Sequence, residues 1–356
     1  MAANQGDFNR FRRTLLLDGE ADRVPLYDTV DRGIMSAWLG KPEADLAGSV
    51  EFYSKAGYDF VRTSVDLWSM LTKGKKGAPA GHTRSANYSL YAGATTERHW
   101  AQEGKGIISS MEEFDRFQWP GLEDMDFSPY ERIGELTPPG MKTLGNVGHI
   151  FTAVWTLMGF ETFCMALIQE PALVAQMFEK IGSVQYEVLD RVTRFKSVGA
   201  IHVSDDIAYT SGLIISPKHL RQYLFPWFKR MCSLCRERDI VIIYHTDGKV
   251  DDVLDDIVAA GFHGLHPIQP NAMDIKKVKE RVGDKICLLG NIDMDTLARG
   301  TPEQVEELVK RNLKEIAPGG GYCVGSSNSV SDFVKMENYN AMRETVFKYG
   351  TYPIRA

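Results

Sequence analysis

Short apolar runs recur along the chain, and each ends in a polar or glycine-rich turn. The clearest run is Val241–Tyr244, which stops at the segment His245-Thr-Asp-Gly248. β-Branched apolar residues bounded by a turn signal are typical of a buried strand. If the strand is parallel to its neighbours, His245 and Asp247 follow its carboxyl end, which is the edge where α/β folds place their chemistry.

The same pattern predicts seven further strands, at 23–28, 58–64, 141–148, 200–206, 264–270, 286–293 and 321–328. Helical spacing of apolar residues predicts helices at 8–17, 46–56, 151–168, 171–196, 216–234, 253–260, 275–282, 301–316 and 335–348. Pro226 is expected to kink or split the helix that contains it. Eight strands that mostly alternate with helices predict an α/β fold, a (β/α)8 TIM barrel that occupies residues 1–356 as a single domain.

Residues 73–126 break this alternation. The segment is rich in Gly, Pro, Ser and Thr and carries scattered aromatic residues. It is too long for a simple connection between two elements. We therefore predict an inserted hairpin and lid that covers the carboxyl face of the barrel.

A barrel gathers the polar residues of its strand ends on one rim, whatever their separation in sequence. The residues at these ends are Asp28, Asp66, Asn146, His149, Asp205, Asp206, His245, Asp247, His266, Gln269, Asn291, Asp293, Ser326 and Asn328. Asp205 and Asp206 are adjacent and face opposite ways in a strand, so we expect one of them to cap or face a helix and Asp206 to be the site residue. His202 lies in mid-strand and is expected inside the barrel.

Composition narrows the class of protein. The chain has 356 residues, 44% hydrophobic and 25% charged, with a net charge of −6. The longest basic run is Lys73-Gly-Lys-Lys76, which argues against a nucleic-acid partner. The amino terminus has no apolar signal region and no apolar stretch is long enough to span a bilayer, so we expect a cytoplasmic protein without a membrane partner. Five cysteines without a spaced framework fit a reducing compartment, and Cys232 and Cys235 are expected to be buried thiols.

Several of these segments, taken in chain order, resemble the uroporphyrinogen decarboxylase superfamily. They are Gly145-Asn-Val-Gly148, Ser204-Asp-Asp206 before Ser216-Pro217 and Phe225-Pro226, Gly264-Leu-His-Pro267, and Leu289-Gly-Asn-Ile-Asp293. The resemblance covers most of the chain and implies the same barrel fold. The superfamily contains both decarboxylases and corrinoid-dependent methyltransferases, so the fold does not decide between them.

The decarboxylases carry two arginines in the loop after the first strand and a histidine after the last. Here the first loop offers only Arg32, which is offset, and the last loop reads Ser326-Ser-Asn328. A substrate with many carboxylates would also meet Asp28 and Asp31. The resemblance therefore argues against a tetrapyrrole substrate.

The methyltransferases hold zinc with a His-x-Cys pair after the fifth strand and a Cys after the eighth. This chain has His245-Thr-Asp247 and Ser326 at those positions. The thiolate site is absent, but zinc also accepts imidazole and carboxylate ligands, so His245 and Asp247 are candidate metal ligands. An O-demethylase of this branch must polarise an ether oxygen, which a metal or a proton donor can do.

The resemblance thus implies an enzyme that moves a methyl group from a small methoxylated compound, such as an aromatic methyl ether, to a corrinoid protein. His245, Asp247 and Asp206 are the expected catalytic residues. The expected substrate-binding residues are Asn146, His149, Asn291, Asp293, Ser326, Trp155, His266 and Arg32. The aromatic residues of the lid, with Trp38, Trp68 and Trp155, indicate an aromatic pocket.

Several alternatives stay open. A methylcorrinoid:tetrahydrofolate-type methyltransferase shares the fold. A carboxy-lyase acting on a small carboxylate would use Arg32 or Arg62 as its anion anchor. A non-catalytic ligand-binding barrel and a metal-dependent hydrolase are further alternatives, and a homo-oligomer is compatible with each.

Overall fold

The computed structural model describes residues 6–42, 44–66, 83–88, 96–101 and 106–355, with 83–88 and 96–101 described by their backbone alone. One curled parallel sheet organises these residues. Its strands, numbered β1 to β7, are Phe60–Ser64, Lys142–Gly148, Val198–Ser204, Val241–His245, Gly264–His266, Cys287–Ile292 and Tyr322–Ser326. Each strand pairs with the next one along the chain. Sequential parallel pairing of this kind requires a crossover between strands, and helices provide most of the crossovers.

The predicted first strand is present only as a short parallel bridge. Leu26 bridges Val324 of β7. Tyr27 N donates to Val324 O at 2.8 Å, and Val324 N donates to Pro25 O at 2.9 Å. The segment around Leu26 therefore occupies the position of an eighth barrel strand beside β7, and the architecture is TIM-barrel-like. Two-residue strands at Thr29–Val30 and Ser329–Val330 pair in parallel just beyond it.

Helices surround the sheet. The described α-helices are Phe8–Leu15, Arg32–Leu39, Leu46–Ala56, Met111–Arg116, Ser128–Leu136, Ile150–Met158, Phe160–Gln169, Pro171–Val192, Pro217–Tyr223, Phe225–Glu237, Leu254–Ala260, Ile275–Val282, Met294–Arg299, Pro302–Glu315 and Met336–Tyr349. Single 3-10 turns lie at Leu122–Asp124 and Asp251–Val253. Thr301 and Gln304 form the capping box expected at the start of Pro302–Glu315.

Two helix predictions need comment. The helix expected at 216–234 is split next to Pro226, as predicted, into Pro217–Tyr223 and Phe225–Glu237. The helix expected at 151–168 is also split, which the apolar pattern did not indicate. Gly159 has φ +79° and ends the first half, because its backbone leaves the helical region. The halves Ile150–Met158 and Phe160–Gln169 meet at 97°.

No single helix in the described ranges is long and apolar enough to cross a membrane. The bent pair around Gly159 passes that test only when its halves are taken together, by length and composition. Most of the apolar side chains in its first half are buried against the rest of the protein.

The segment predicted as a hairpin and lid is described only in part. The backbones of Thr83–Tyr88 and Thr96–Ala101 pair as antiparallel strands. Residues 67–82, 89–95 and 102–105, which include Trp68, lie outside the described residues. Coverage of the barrel mouth by a lid therefore remains a prediction.

The interior of the barrel differs between the middle of the sheet and its amino end. Val241–Tyr244 is buried throughout, as the continuous apolar run predicted. Just before β1, at the amino end of the sheet, Arg10 binds Asp59 and Asp22 in ion pairs of 2.5 and 2.6 Å. These ion pairs occupy the charged groups at this end of the sheet.

Candidate active site at the carboxyl ends of the strands

Three side chains meet where β3 and β4 end. His245 is the last residue of β4, and its Nε2 lies 4.0 Å from an oxygen of Asp206 and 4.0 Å from an oxygen of Asp247. The potential ligand atoms of the three residues all lie within 4.8 Å of one another. Asp247 N also donates to Asp206 Oδ1 at 2.9 Å, which ties the two loops together. The structure thus brings together the three residues predicted to be catalytic.

Asp247 has one satisfied oxygen and one unsatisfied oxygen. Oδ2 accepts from Asn328 Nδ2 at 2.5 Å, whereas Oδ1 is buried and has no hydrogen-bond partner within the described part of the chain. Burial raises the pKa of Asp247, the charge of Asp206 raises it further, and His245 and Asn328 oppose the shift. A buried carboxylate oxygen without a partner is expensive in free energy. A proton or a cation placed between Asp247, His245 and Asp206 would satisfy it.

The ring of His245 contacts two other histidines. Its Nδ1 lies 2.8 Å from His266 Nδ1, and its ring stacks on His202 at a centroid distance of 5.2 Å. Burial holds the pKa of His266 well below its usual range, so His266 is neutral. One of the two Nδ1 atoms must carry the hydrogen and the other must accept it. His245 Nε2 is then either an N–H donor or a free lone pair, depending on which ring donates.

His202 lies inside the barrel, as predicted. It is 2% exposed, and its Nδ1 is hydrogen-bonded to the hydroxyl of Tyr27. Burial, assisted by the charge of Arg62, holds the pKa of His202 well below its usual range. His202 is therefore a neutral ring that supports His245 from one side.

Asp205 and Asp206 divide their roles as the strand geometry predicted. Asp205 is buried and accepts hydrogen bonds from Phe151 N at 2.7 Å and from Thr152 N and Oγ1 at 2.8 Å each. It anchors the first turn of Ile150–Met158, where a carboxylate is favoured. Burial nevertheless raises the pKa of Asp205 to about 7. Asp206 is left facing His245.

A cavity of about 530 Å³ opens beside this cluster. Four strands contribute their last residues or nearby ones to its wall: Ser64 of β1, Asn146 of β2, Ser204 of β3 and His245 of β4. Its volume is typical of a site for a small molecule. Of Asp206, His245 and Asp247, His245 lines the cavity. The imidazole is therefore the group of the cluster that a ligand in the cavity would contact.

Part of the wall of the cavity is basic. Arg62 of β1, Arg32 at the start of Arg32–Leu39 and Arg132 within Ser128–Leu136 all line it. The sequence pointed to Arg32, and to Arg62 only under the carboxy-lyase alternative. Arg132 was missed because its helix, Ser128–Leu136, was not predicted.

The remaining predicted site residues fall into two groups, and one group lies at the site. Asn146 and Arg32 line the cavity. His149 is close enough to the cluster for the charges of Asp206 and His245 to act on it, although burial is the main reason that its pKa falls to about 4. Ser326 Oγ donates to Asn328 O at 2.6 Å, and so supports the residue that binds Asp247.

The other group serves the scaffold. Asn291 Nδ2 donates to Ile268 O at 2.6 Å, and its Oδ1 accepts from Asn312 in the helix layer. Asp293 accepts from Thr296 N at 2.9 Å and caps Met294–Arg299. Their amide and carboxylate groups are used in these contacts, so the structure places neither residue in the wall of the cavity.

Trp38 and Trp155, two of the tryptophans expected in an aromatic pocket, pack elsewhere, and Trp68 lies outside the described residues. Trp155 packs edge-on against Phe160, and Trp38 packs edge-on against Phe52 with its Nε1 donating to Asn340 at 3.0 Å. Neither is among the described residues that line the cavity, where Tyr53 is the aromatic side chain other than the imidazoles. All five cysteines are free, and Cys232 and Cys235 are buried as predicted.

The donor atoms of the cluster Asp206–His245–Asp247 are suited to a divalent cation. It offers one imidazole nitrogen and two carboxylate oxygens, of which Asp247 Oδ1 is buried and unpartnered. This donor set suits zinc with an open coordination position, and it contains no thiolate.

A family model described as Uroporphyrinogen decarboxylase (URO-D) matches residues 130–349. The chain belongs to the uroporphyrinogen decarboxylase family. The matched range contains six of the seven sheet strands and all three residues of the cluster. The resemblance inferred from the strand-end motifs is therefore confirmed.

Relatives of this protein include proteins named as decarboxylases and one named as a methyltransferase. Uroporphyrinogen decarboxylase of Chlorobium phaeovibrioides is 27% identical over 231 residues, which cover 60% of this chain and 63% of that protein. Methylcobamide:CoM methyltransferase MtaA of Methanosarcina barkeri is 27% identical over 214 residues, 59% of each chain. The matches thus span less than two thirds of the length of these relatives.

Among solved structures, a methyltransferase from Methanosarcina mazei shares the fold. It superimposes with a TM-score of 0.69 over 96% of this chain and 98% of its own length, at 18% sequence identity. This similarity supports the TIM-barrel-like architecture.

Proposed function

We propose that this protein is a methyltransferase that takes a methyl group from a small methoxylated compound and gives it to the corrinoid of a partner protein. The observation that carries the proposal is the position of His245. Its imidazole belongs both to the cluster with Asp206 and Asp247 and to the wall of a cavity of small-molecule size. The relative named as a methyltransferase, MtaA of Methanosarcina barkeri, supports the reaction class.

The reaction requires help at an oxygen atom. Breaking the bond between the methyl carbon and the ether oxygen leaves an alkoxide or phenoxide, which needs a proton or a positive charge as it forms. The corrinoid supplies the cobalt nucleophile that accepts the methyl group. When His245 carries a hydrogen on both nitrogens, its Nδ1–H donates to His266 and its Nε2–H passes a proton to the leaving oxygen, which leaves the ring neutral. Asp206 and Asp247 lie beside the ring and stabilise its positive charge before the transfer.

A divalent cation would serve the same oxygen differently. Held by His245, Asp206 and Asp247, it would supply Lewis acidity at the leaving group. His245 would then donate its Nδ1 hydrogen to His266, which leaves the Nε2 lone pair for the cation. In both cases the residues that position the leaving oxygen are the same.

One observation favours a second candidate function. Three arginines line the cavity, and an arginine wall also suits a carboxy-lyase of a small carboxylate. In that case Arg62 or Arg32 would hold the carboxylate, and His245 would protonate the carbanion that remains after carbon dioxide leaves.

The products distinguish the two functions. The protein is incubated without oxygen with reduced corrinoid and a panel of methoxylated compounds, and both methylcorrinoid and carbon dioxide are measured. The proposal expects methylcorrinoid and one demethylated product per turnover, without carbon dioxide. Carbon dioxide released in the absence of corrinoid would instead establish the carboxy-lyase.

A further inference from the structure

Arg62 is a cation in the wall of the cavity. It is half-buried in β1, and one of its guanidinium nitrogens donates to the backbone oxygen of Asp28 at 3.2 Å. Its Cζ lies 5.8 Å from the centre of the Tyr27 ring. Within the described part of the chain it forms no ion pair, although buried arginines elsewhere in the protein, such as Arg10, do. The remaining donors of Arg62 are therefore available to a ligand.

Two further arginines add to the positive charge of the cavity lining. Arg32 and Arg132 line the same cavity and likewise have no ion-pair partner in the described ranges. Asp45 is the single carboxylate among the described lining residues, and its Oδ1 accepts from Gly48 N at 2.8 Å at the start of Leu46–Ala56. Three arginines against one occupied carboxylate give the lining a net positive charge. Arg32 and Arg132 are exposed and Arg62 is half-buried, so Arg62 is the guanidinium best sheltered for pairing with a carboxylate.

The lining of the cavity therefore contains two chemically different sets of residues. Arg62, Arg32 and Arg132 form the basic part, and His245, Asn146 and Ser204 offer an imidazole, an amide and a hydroxyl. A ligand in the cavity would place an anion at the arginines and a reacting oxygen at His245.

We propose that the cavity binds small organic carboxylates, with the carboxylate paired to Arg62 and the rest of the molecule directed toward His245. The identification of this carboxylate as part of the methyl donor rests on the proposed function. The anion subsite itself depends only on the cavity.

Calorimetric titration with matched ligands tests the subsite. The probes are 4-methoxybenzoate and its neutral analogue 4-methoxybenzamide, together with methoxyacetate as a smaller anion. We expect the full-length protein to bind 4-methoxybenzoate at least about tenfold more tightly than the amide, because a charge-assisted pair is worth more than a neutral hydrogen bond. The difference should shrink as salt is added.

Three variants locate the effect. Arg62→Gln should weaken binding of 4-methoxybenzoate about tenfold or more and leave the amide unchanged. Arg62→Lys should retain part of the preference, because it keeps the charge and loses the planar fork. Arg311→Gln is the matched control, since Arg311 is exposed on Pro302–Glu315 and does not line the cavity. Thermal melting and circular dichroism of each variant establish that it is folded.

The failure of this inference and the failure of the proposed function can be told apart, since the titration contains no corrinoid. Equal binding of the benzoate and the amide, or no binding of either anion up to about 10 mM, would overturn the subsite. An unchanged affinity in folded Arg62→Gln would also overturn it. Arginine-dependent binding without methyl transfer would keep the subsite and reject the methyltransferase. Methyl transfer at equal rates from the benzoate and the amide would keep the methyltransferase and reject the subsite.

Discussion

The Nδ1 atoms of His245 and His266 lie 2.8 Å apart, at the carboxyl ends of neighbouring strands. Because His266 is fully buried, its hydrogen bond orients the His245 ring and couples the hydrogen positions of the two imidazoles. His266 is therefore a positioning residue. It acts on the reaction through His245 and does not itself line the cavity.

His266→Asn should lower kcat roughly 10- to 100-fold, the range observed when the partner of a functional imidazole is removed. The KM for the methyl donor should change little, since the cavity wall is intact. The pH dependence of kcat should also change, because the Nδ1 partner of His245 is altered. An unchanged pH profile with a simple loss of folded protein would instead indicate that His266 only fills space.

Asp247 allows stability to be separated from activity. Burial and the charge of Asp206 raise the pKa of Asp247, so its ionised form is disfavoured in the folded protein. Asp247→Asn keeps the shape of the side chain and removes this charge. The melting temperature at pH 8 should therefore stay the same or rise, while turnover falls at least about a hundredfold.

The matched control is Asp239→Asn, at an exposed aspartate paired with Arg12. It should leave turnover unchanged. A large fall in the melting temperature of Asp247→Asn, with turnover lost only in proportion to unfolding, would assign Asp247 a structural role.

Gly248 constrains the loop that carries Asp247. Its φ is +86°, and a Cβ added there would lie 2.6 Å from the backbone oxygen of Ala208. Gly248→Ala should therefore displace the loop and lower both stability and turnover. Gly40→Ala is the control, because Gly40 has φ +66° and a Cβ there would meet nothing within 4 Å.

The difference between the two variants measures the steric effect alone. Denaturant unfolding should show Gly40→Ala to be destabilised by about 1 kcal/mol, from backbone strain. Gly248→Ala should lose more than that and also lose activity. Equal stability of the two variants, with full activity in both, would show that the loop accommodates a Cβ at residue 248 without loss of stability or activity.

Asp28 should make stability fall between pH 4 and pH 6. Burial raises its pKa from 3.8 to about 6, although Ser326 N and the Tyr58 hydroxyl donate to it. Below the unfolded pKa both states carry the proton. As the pH rises toward 6, the unfolded state loses the proton first, so the stabilisation from protonated Asp28 is lost, by roughly 3 kcal/mol for a shift of two pKa units.

Other groups titrate in the same range, so the measured quantity is the difference between the wild type and Asp28→Asn. The free energy of unfolding of the wild type should fall relative to that of the variant from pH 4 to pH 6, and the difference should be constant above about pH 7. Parallel curves across the whole range would contradict the assignment.

Much of the scaffold could be predicted from the sequence, for a physical reason. A strand buried on both faces must be apolar throughout, so runs such as Val241–Tyr244 stand out without any structural knowledge. Alternation along a strand also separated Asp205 from Asp206 correctly. The first strand was harder, because the Leu26 segment makes only a single bridge to β7.

The site was predicted only in part, because position at a strand end does not determine where a side chain points. Asn291 and His266 both lie at the carboxyl ends of their strands, but Asn291 turns toward Asn312 in the helix layer while His266 turns toward His245. Arg132 lies in Ser128–Leu136, a helix that was not predicted. The sequence therefore did not predict that Arg32, Arg62 and Arg132 line one cavity, which the structure shows.

His245 provides the most direct test of the central claim. Methylcorrinoid formation is measured without oxygen for the wild type, His245→Ala and the control His219→Ala, whose histidine lies in Pro217–Tyr223 and does not line the cavity. We expect His245→Ala to remain folded and to lose methyl transfer at least about a hundredfold, while His219→Ala keeps full activity. Full methyl transfer by folded His245→Ala would contradict the account.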